Sequence, residues 1–180
     1  MVYVLLGTGF EETEAIAPID LMRRAGIQVN TVGVNGKVIY GSHNIGVEAD
    51  ITLEQLNLQD AEMIVLPGGL RGVASVRASG PAMAALSKCW EDGKFVAAIC
   101  AGPTVLADLH IPDDKNATCY PGCEAQMGCA NMVAGAAAVR DGQLITGTSA
   151  GCAIPFGLAL VEALKGKDAA DTVAKQIVIR

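Results

Sequence analysis

Phe95-Val96-Ala97-Ala98-Ile99-Cys100-Ala101-Gly102-Pro103 is the stretch that decides the fold. Phe95 to Cys100 is the most apolar strand candidate in the chain, as expected of a strand covered on both faces. Gly102-Pro103 immediately begins a helix through Leu109, with proline at a position where its missing N–H costs nothing. The turn between the two is very tight. Ala98-Ile99-Cys100-Ala101-Gly102 therefore has the form of a nucleophile elbow with cysteine in place of serine, small residues letting the backbone turn and lift the sulfur out at the strand's C-terminal end. Open α/β sheets bind ligands along that edge. A sulfur there also faces the amino end of the next helix, whose partial positive charge favours thiolate. The competing reading is an inert cysteine in a core strand, since free cysteine is among the most buried residue types.

The same alternation extends in both directions. Val2 to Leu6 is an apolar run closed by Gly7 and Gly9, and Glu11, Glu12, Thr13 and Glu14 open a helix whose Ile16, Ile19 and Met22 share a face, stopped by Gly26. The glutamates complement the helix dipole, which by itself accounts for them. Gln28 to Val34 reads as a strand, Asn35-Gly36 as a tight turn and Lys37 to Tyr40 as its return, with Ile45 to Val47 extending the excursion. Glu62 to Leu66 is a second buried strand ending in Pro67-Gly68-Gly69, and Pro81 to Trp90 carries a helical pattern. Beyond a looser stretch from Pro112 to Met132, strands near Ala136 to Val139 and Gln143 to Thr146 meet at Asp141-Gly142. Helices follow at about Ala153 to Leu164 and Ala169 to Val178. No repeat or linker interrupts residues 1–180, so a single α/β domain is expected.

Composition narrows the class further. Of 180 residues, 51% are hydrophobic but only 4% aromatic, and 21 are glycine, so the core is built of Val, Ile, Leu and Ala, which suits helices packed on a parallel sheet. A net charge of -6 with no basic run opposes a phosphate backbone, which leaves no expectation of nucleic-acid or membrane partners. The uncharged stretch Gln143 to Val161 is long enough to span a bilayer, but its Gln143, Thr146, Thr148, Ser149, three glycines and Pro155 divide it into strand, turn and helix. Met1 leads straight into the first strand without a basic leader, so the cytoplasm is the expected compartment, with six cysteines kept as thiols.

Other motifs carry less. Gly147-Thr148-Ser149-Ala150-Gly151 matches the serine hydrolase elbow, but such an enzyme needs a histidine after the serine, and His43 and His110 both precede it. The segment reads instead as a strand-to-helix turn capped by Thr148 or Ser149. Gly7 and Gly9 lack the third glycine of a dinucleotide fingerprint. Cys119, Cys123 and Cys129 are too irregularly spaced for a zinc ribbon, so no metal is expected. His43 falls in a polar loop and reads as solvated, and His110 sits where a helix C-terminal cation helps.

Taken together, Gly9-Phe10-Glu11-Glu12-Thr13-Glu14, Leu66-Pro67-Gly68-Gly69 and Ala97-Ala98-Ile99-Cys100-Ala101-Gly102-Pro103 resemble the ThiJ/PfpI superfamily. The similarity is to the branch of the parkinsonism-associated protein deglycase and bacterial YajL, and it runs from Val2 into the last helix, with a similar Val161-Glu162-Ala163-Leu164 near the end. The resemblance implies a flavodoxin-like sandwich that forms a homodimer. It implies Cys100 as the reactive cysteine and Glu14 as a protonated carboxyl beside the sulfur, a neutral acid able to donate to thiolate. It further implies backbone amides of Gly68, Gly69 and Ala101 around an oxyanion or a sulfinate. Where relatives place a histidine near the cysteine, this chain has Tyr120, with Cys119 beside it, and a phenol is a far weaker base at neutral pH. Ala101 after the cysteine departs from the peptidase branch, where histidine follows.

Two functions are compatible with these residues. One is a cofactor-free, glutathione-independent glyoxalase or deglycase acting on small dicarbonyls such as methylglyoxal, or on glycated amines. Here Cys100 is the nucleophile and Glu14 the proton carrier. The other is a redox-sensing stress-response protein or chaperone whose Cys100 is oxidised to the sulfinate.

Overall fold

A computed structural model describes residues 1–179. In chain order the elements are β1 (Val2–Leu6), α1 (Glu12–Arg24), β2 (Val29–Gly33), β3 (Val38–Tyr40), β4 (Gly46–Glu48), β5 (Ile51–Thr52), β6 (Met63–Leu66), α2 (Leu70–Arg77) and α3 (Gly80–Glu91). There follow β7 (Phe95–Ile99), α4 (Pro103–Ala107), β8 (Asn116–Ala117), β9 (Asn131–Met132), β10 (Ala138–Asp141), β11 (Leu144–Gly147), α5 (Ala153–Lys165) and α6 (Lys167–Gln176). Seven strands form the central sheet in the order β10-β11-β7-β6-β1-β2-β5. All neighbours are parallel except β10, which closes one edge antiparallel to β11.

Alternation along the buried strands sorts two cores. Tyr3, Leu5, Ile64, Leu66, Val96 and Ala98 face α2, α3 and α4, meeting Val73, Val76, Leu86, Val105 and Leu106. Val2, Val4, Leu6, Met63, Val65, Ala97 and Ile99 face α1, α5 and α6, meeting Leu21, Met22, Phe156, Leu160 and Val173. Each strand feeds both layers, which is why the sequence shows unbroken apolar runs. Gly157 lets α5 lie against α1: a Cβ there would stand 2.7 Å from Leu21 Cδ1 and 3.0 Å from Pro18 Cα.

Chain connections run outward from β1 in both directions, to β2 on one side and through β6, β7 and β11 on the other. That is the flavodoxin-like order, with its switch point between β1 and β6. The loops after β1, β6 and β7 converge there, and they carry Glu11 to Glu14, Gly68-Gly69 and Cys100.

The structure differs from the sequence reading in several places. Lys37 to Tyr40 does not return along β2: β3 pairs with β4 in a separate antiparallel ribbon, because β2 is already flanked by β1 and β5 and has no free edge. Helix α2 lies where only a turn was expected. Helix α4 ends at Ala107 rather than Leu109 and is only five residues long, so its dipole lends the sulfur little. Neither Thr148 nor Ser149 caps the following turn by its side chain; Thr148 Oγ bonds Thr118 and the Ala136 carbonyl instead. His110 pairs with Asp113 at 3.0 Å rather than with helix carbonyls.

Candidate active site

The elbow is held by its backbone. Cys100 N–H donates to Gly147 O at 2.9 Å, Tyr120 N–H donates to Cys100 O at 2.8 Å, and Gly102 N–H donates to Ile99 O at 2.9 Å. The result is a φ of 66° at Cys100. A left-handed conformation at a non-glycine residue costs about 1–2 kcal/mol, and it persists where neighbouring bonds over-determine it. Gly102 is required at the tightest point, since a Cβ would sit 2.8 Å from Leu66 O and 2.9 Å from Ile99 O.

Three glutamates that look alike in sequence do three different things. Glu11 is the N-cap of α1, accepting the Glu14 N–H at 2.7 Å. Glu12 turns outward to the loop after β3, accepting the His43 backbone N–H at 2.7 Å, His43 Nδ1 at 2.8 Å and Ser42 Oγ–H at 3.0 Å. Glu14 turns inward and is 1% exposed. Its Oε2 accepts the Gly68 N–H at 2.8 Å, while its Oε1 has no hydrogen-bond partner. Gly68 separates the carboxyl from the cysteine so closely that a Cβ there would lie 2.5 Å from Glu14 Oε2 and 2.7 Å from Cys100 Cβ.

Electrostatics follow from this placement. Burial pushes the Glu14 carboxyl up to about 7, the neighbouring Cys100 thiol and the Gly68 N–H opposing it and the Glu11 charge pushing the same way as burial. Burial also pushes the Cys100 thiol up to about 12, reinforced by the Glu14 carboxyl beside it and opposed by the backbone N–H groups of Ala101 and Gly69. An ionised Glu14 is thus the enemy of a thiolate. The two groups compete for a single proton. With that proton on Glu14, the repulsion disappears, and the partnerless Oε1 can donate to sulfur, reversing the contribution that raises Cys100.

An open cavity of about 500 Å³ lies over the sulfur, walled by Glu11, His43, Leu70, Cys100, Tyr120 and Cys123. Of the three amides expected around the sulfur, those of Gly69 and Ala101 face it, whereas that of Gly68 is committed to Glu14. Tyr120 stands on the cavity wall, 48% exposed. Cys119 is buried and lines a separate cavity of about 260 Å³, so the second thiol on the wall of the first is Cys123, four residues on. His43 is exposed, as the sequence assigns it, and is tethered by Glu12 on that same wall. Glu11, Glu12 and His43 also offer ligand atoms within 4.8 Å of one another, the one such trio among the described residues, but Glu12 and His43 are already bonded to each other. No helix among the described residues is long and apolar enough to cross a membrane.

A flavodoxin-like sheet with a strained cysteine elbow at its switch point, backed by a buried carboxyl and two amides, defines a class of α/β proteins built around one sulfur. Within that class the chain belongs to the DJ-1/PfpI family, whose model matches residues 1–163. It is 36% identical over 178 residues to Protein dj-1beta of Drosophila melanogaster, covering 98% of this chain and 95% of that one. The crystal structure of Drosophila melanogaster DJ-1beta superposes with a TM-score of 0.94, covering 99% of this chain and 97% of the other. The Parkinson disease protein 7 homolog of Danio rerio is 35% identical over 182 residues, covering 98% and 96%. A protein named Deglycase PH1704, from Pyrococcus horikoshii, is 32% identical over 126 residues, covering 70% and 75%.

Proposed function

We propose that this protein is a cysteine-dependent, cofactor-free glyoxalase or deglycase acting in the cytoplasm, as a homodimer, on methylglyoxal-like dicarbonyls and their adducts. The single observation that carries this reading is Glu14 Oε1: a buried carboxyl oxygen with no partner, beside a strained sulfur. A relative named as a deglycase supports the substrate class.

The reacting state has the thiolate on Cys100 and the proton on Glu14. Sulfur adds to the aldehyde carbon of methylglyoxal, an S–C bond forms, and the carbonyl electron pair moves to oxygen, which takes the Glu14 proton. Glu14, now a carboxylate, removes the proton from that carbon and returns it to the neighbouring one. The hemithioacetal becomes a lactoyl thioester with no net change in oxidation state. Water then breaks the S–C bond, releasing lactate and restoring Cys100. Gly69 and Ala101 N–H groups stabilise oxygen or sulfur anions formed beside them. Lactate formation by purified protein tests this: Cys100→Ala is expected to abolish it, and activity surviving that change would end the reading.

A second reading is favoured by the same two amides. Peroxide oxidises the thiolate to sulfenic acid, releasing water, and a second equivalent gives the sulfinate, held by the Gly69 and Ala101 N–H groups and by protonated Glu14. The protein would then act as a redox sensor or chaperone. Mass spectrometry after mild peroxide is expected to show two oxygens on Cys100 alone; oxidation spread across Cys119, Cys123 and Cys129 would count against it.

A further inference from the structure

We propose that His43, oriented by Glu12, donates its Nε2 proton to the second carbonyl oxygen of the dicarbonyl substrate in the cavity that Cys100 opens into. This deepens the glyoxalase reading and rests on it. Isomerising the hemithioacetal moves one proton from carbon to carbon and another from oxygen to oxygen. Glu14 accounts for the first. The second needs a donor at the oxygen of the ketone carbon, where negative charge develops as the electron pair of the broken C–H bond moves into the new C=C bond.

His43 fits that task by position and by tether. It walls the same cavity as the sulfur and is the one basic side chain among the described residues of that wall. Its Nδ1 is engaged by Glu12 Oε2 at 2.8 Å, with Ser42 Oγ at 3.1 Å, so Nε2 is the ring nitrogen left for a ligand. The ring cannot swing away cheaply. Glu12 is buried and grips the His43 backbone N–H as well, at 2.7 Å, while Ser42 N–H donates to Phe10 O at 2.8 Å and Asn44 N–H to Gly41 O at 3.2 Å. Most exposed ion pairs are mobile and weak. This one is fastened at ring and backbone by a carboxylate on another element, the arrangement that fixes an imidazole's tautomer and orientation. The charges facing the ring are Glu12 and Glu11, and both raise its affinity for a proton. Cys100, Tyr120 and Cys123 are the other titratable groups on the wall. His43 gives its proton to the ketone oxygen and regains one when the first hydroxyl ionises, so the ring ends as it began.

The test compares wild type, Cys100→Ala, His43→Gln and Glu12→Gln by lactate formation and by alkylation of Cys100 with iodoacetate and iodoacetamide. His43→Gln is expected to lower kcat/KM roughly 10- to 100-fold, the range for losing a hydrogen bond to a charged group. It is also expected to lower the iodoacetate-to-iodoacetamide rate ratio at least about threefold, because a cation near the sulfur is lost. Wild-type activity should fall as pH rises through the His43 titration, and Glu12→Gln should move that limb to lower pH, which a purely structural Glu12 would not do. His43→Gln within twofold of wild type in both turnover and ratio, with Cys100→Ala inactive, overturns the role of His43 and leaves the glyoxalase reading standing. Wild type without lactate formation overturns that reading instead. The alkylation ratio then decides alone whether His43 presents its charge to the sulfur, an unchanged ratio rejecting it.

Discussion

Glu12 and Glu14 sit two residues apart on the first turn of one helix, both buried, yet their carboxyls are pushed in opposite directions, to about 2 and about 7. Burial is the largest single influence on each and raises both. What separates them is the supply of donors. Glu12 collects the His43 ring, the His43 N–H and the Ser42 hydroxyl, which together overcome burial, while Glu14 has the Gly68 N–H and an oxygen left over. One turn of helix thus presents a permanent anion to the outer loop and a titrating acid to the inner sulfur. Separating two carboxyls by environment rather than by type is a general route to acid–base work near neutral pH.

The comparison breaks most visibly at Glu14 itself. Glu14→Gln keeps the shape and can still meet the Gly68 N–H, but it cannot carry a proton from carbon to carbon. Lactate kcat/KM is expected to fall at least ~100-fold, the scale of general acid–base catalysis, with the melting temperature held or raised. Gly68→Ala comes next. Its methyl would press on both Glu14 Oε2 and Cys100 Cβ, so it should cost roughly 1–3 kcal/mol of stability, as overpacking does, and lower activity by forcing the pair apart. Denaturant titrations of that variant against wild type measure the first effect.

Linkage sharpens the contrast without touching catalysis. Glu12 has a depressed folded pKa, so its contribution to stability is present above the unfolded value of 4.5 and is lost as pH falls toward about 2. Wild type and Glu12→Gln should therefore converge in stability across that window. Glu14 has a raised folded pKa, so the folded chain holds a proton that the unfolded chain releases, and stability falls as pH rises from 4.5 to about 7. Wild type should lose ground to Glu14→Gln over that span, and curves of like sign would contradict the two environments. The smallest effect belongs to Glu11, whose charge adds to the rise at Glu14. Glu11→Gln should move the Glu14 titration slightly downward.

Much of this was legible in the chain because local rules governed it. Val2 to Leu6, Glu62 to Leu66 and Phe95 to Cys100 read as strands, within one residue of β1, β6 and β7, since burial on both faces leaves nearly unbroken apolar runs. The cysteine elbow was legible for a steric reason, since alanine and glycine must follow a residue forced into a positive φ. The β3–β4 ribbon was not, because Asn35-Gly36 is a sound hairpin signal whose meaning depends on whether β2 has a free edge, a fact set by β5. Helix α2 was hidden by Gly68-Gly69 before it and Gly72 within it, and Gly69 leaves it without a side-chain cap. The Glu12–His43 tether joins residues 31 apart through a loop of no periodicity, so no pattern in the chain announces it. Nor does spacing tell that Cys123 rather than Cys119 reaches the cavity wall.

The proposed chemistry depends on which of Cys100 and Glu14 gives up the first proton. Subtracting the ultraviolet thiolate absorbance of Cys100→Ala from that of wild type across a pH series isolates this one sulfur. With the proton held by Glu14, thiolate should appear in a single step below the ~8.5 of an ordinary thiol. A sulfur that stays dark until the pH nears about 12 would place the charge on Glu14 instead and contradict the thiolate mechanism.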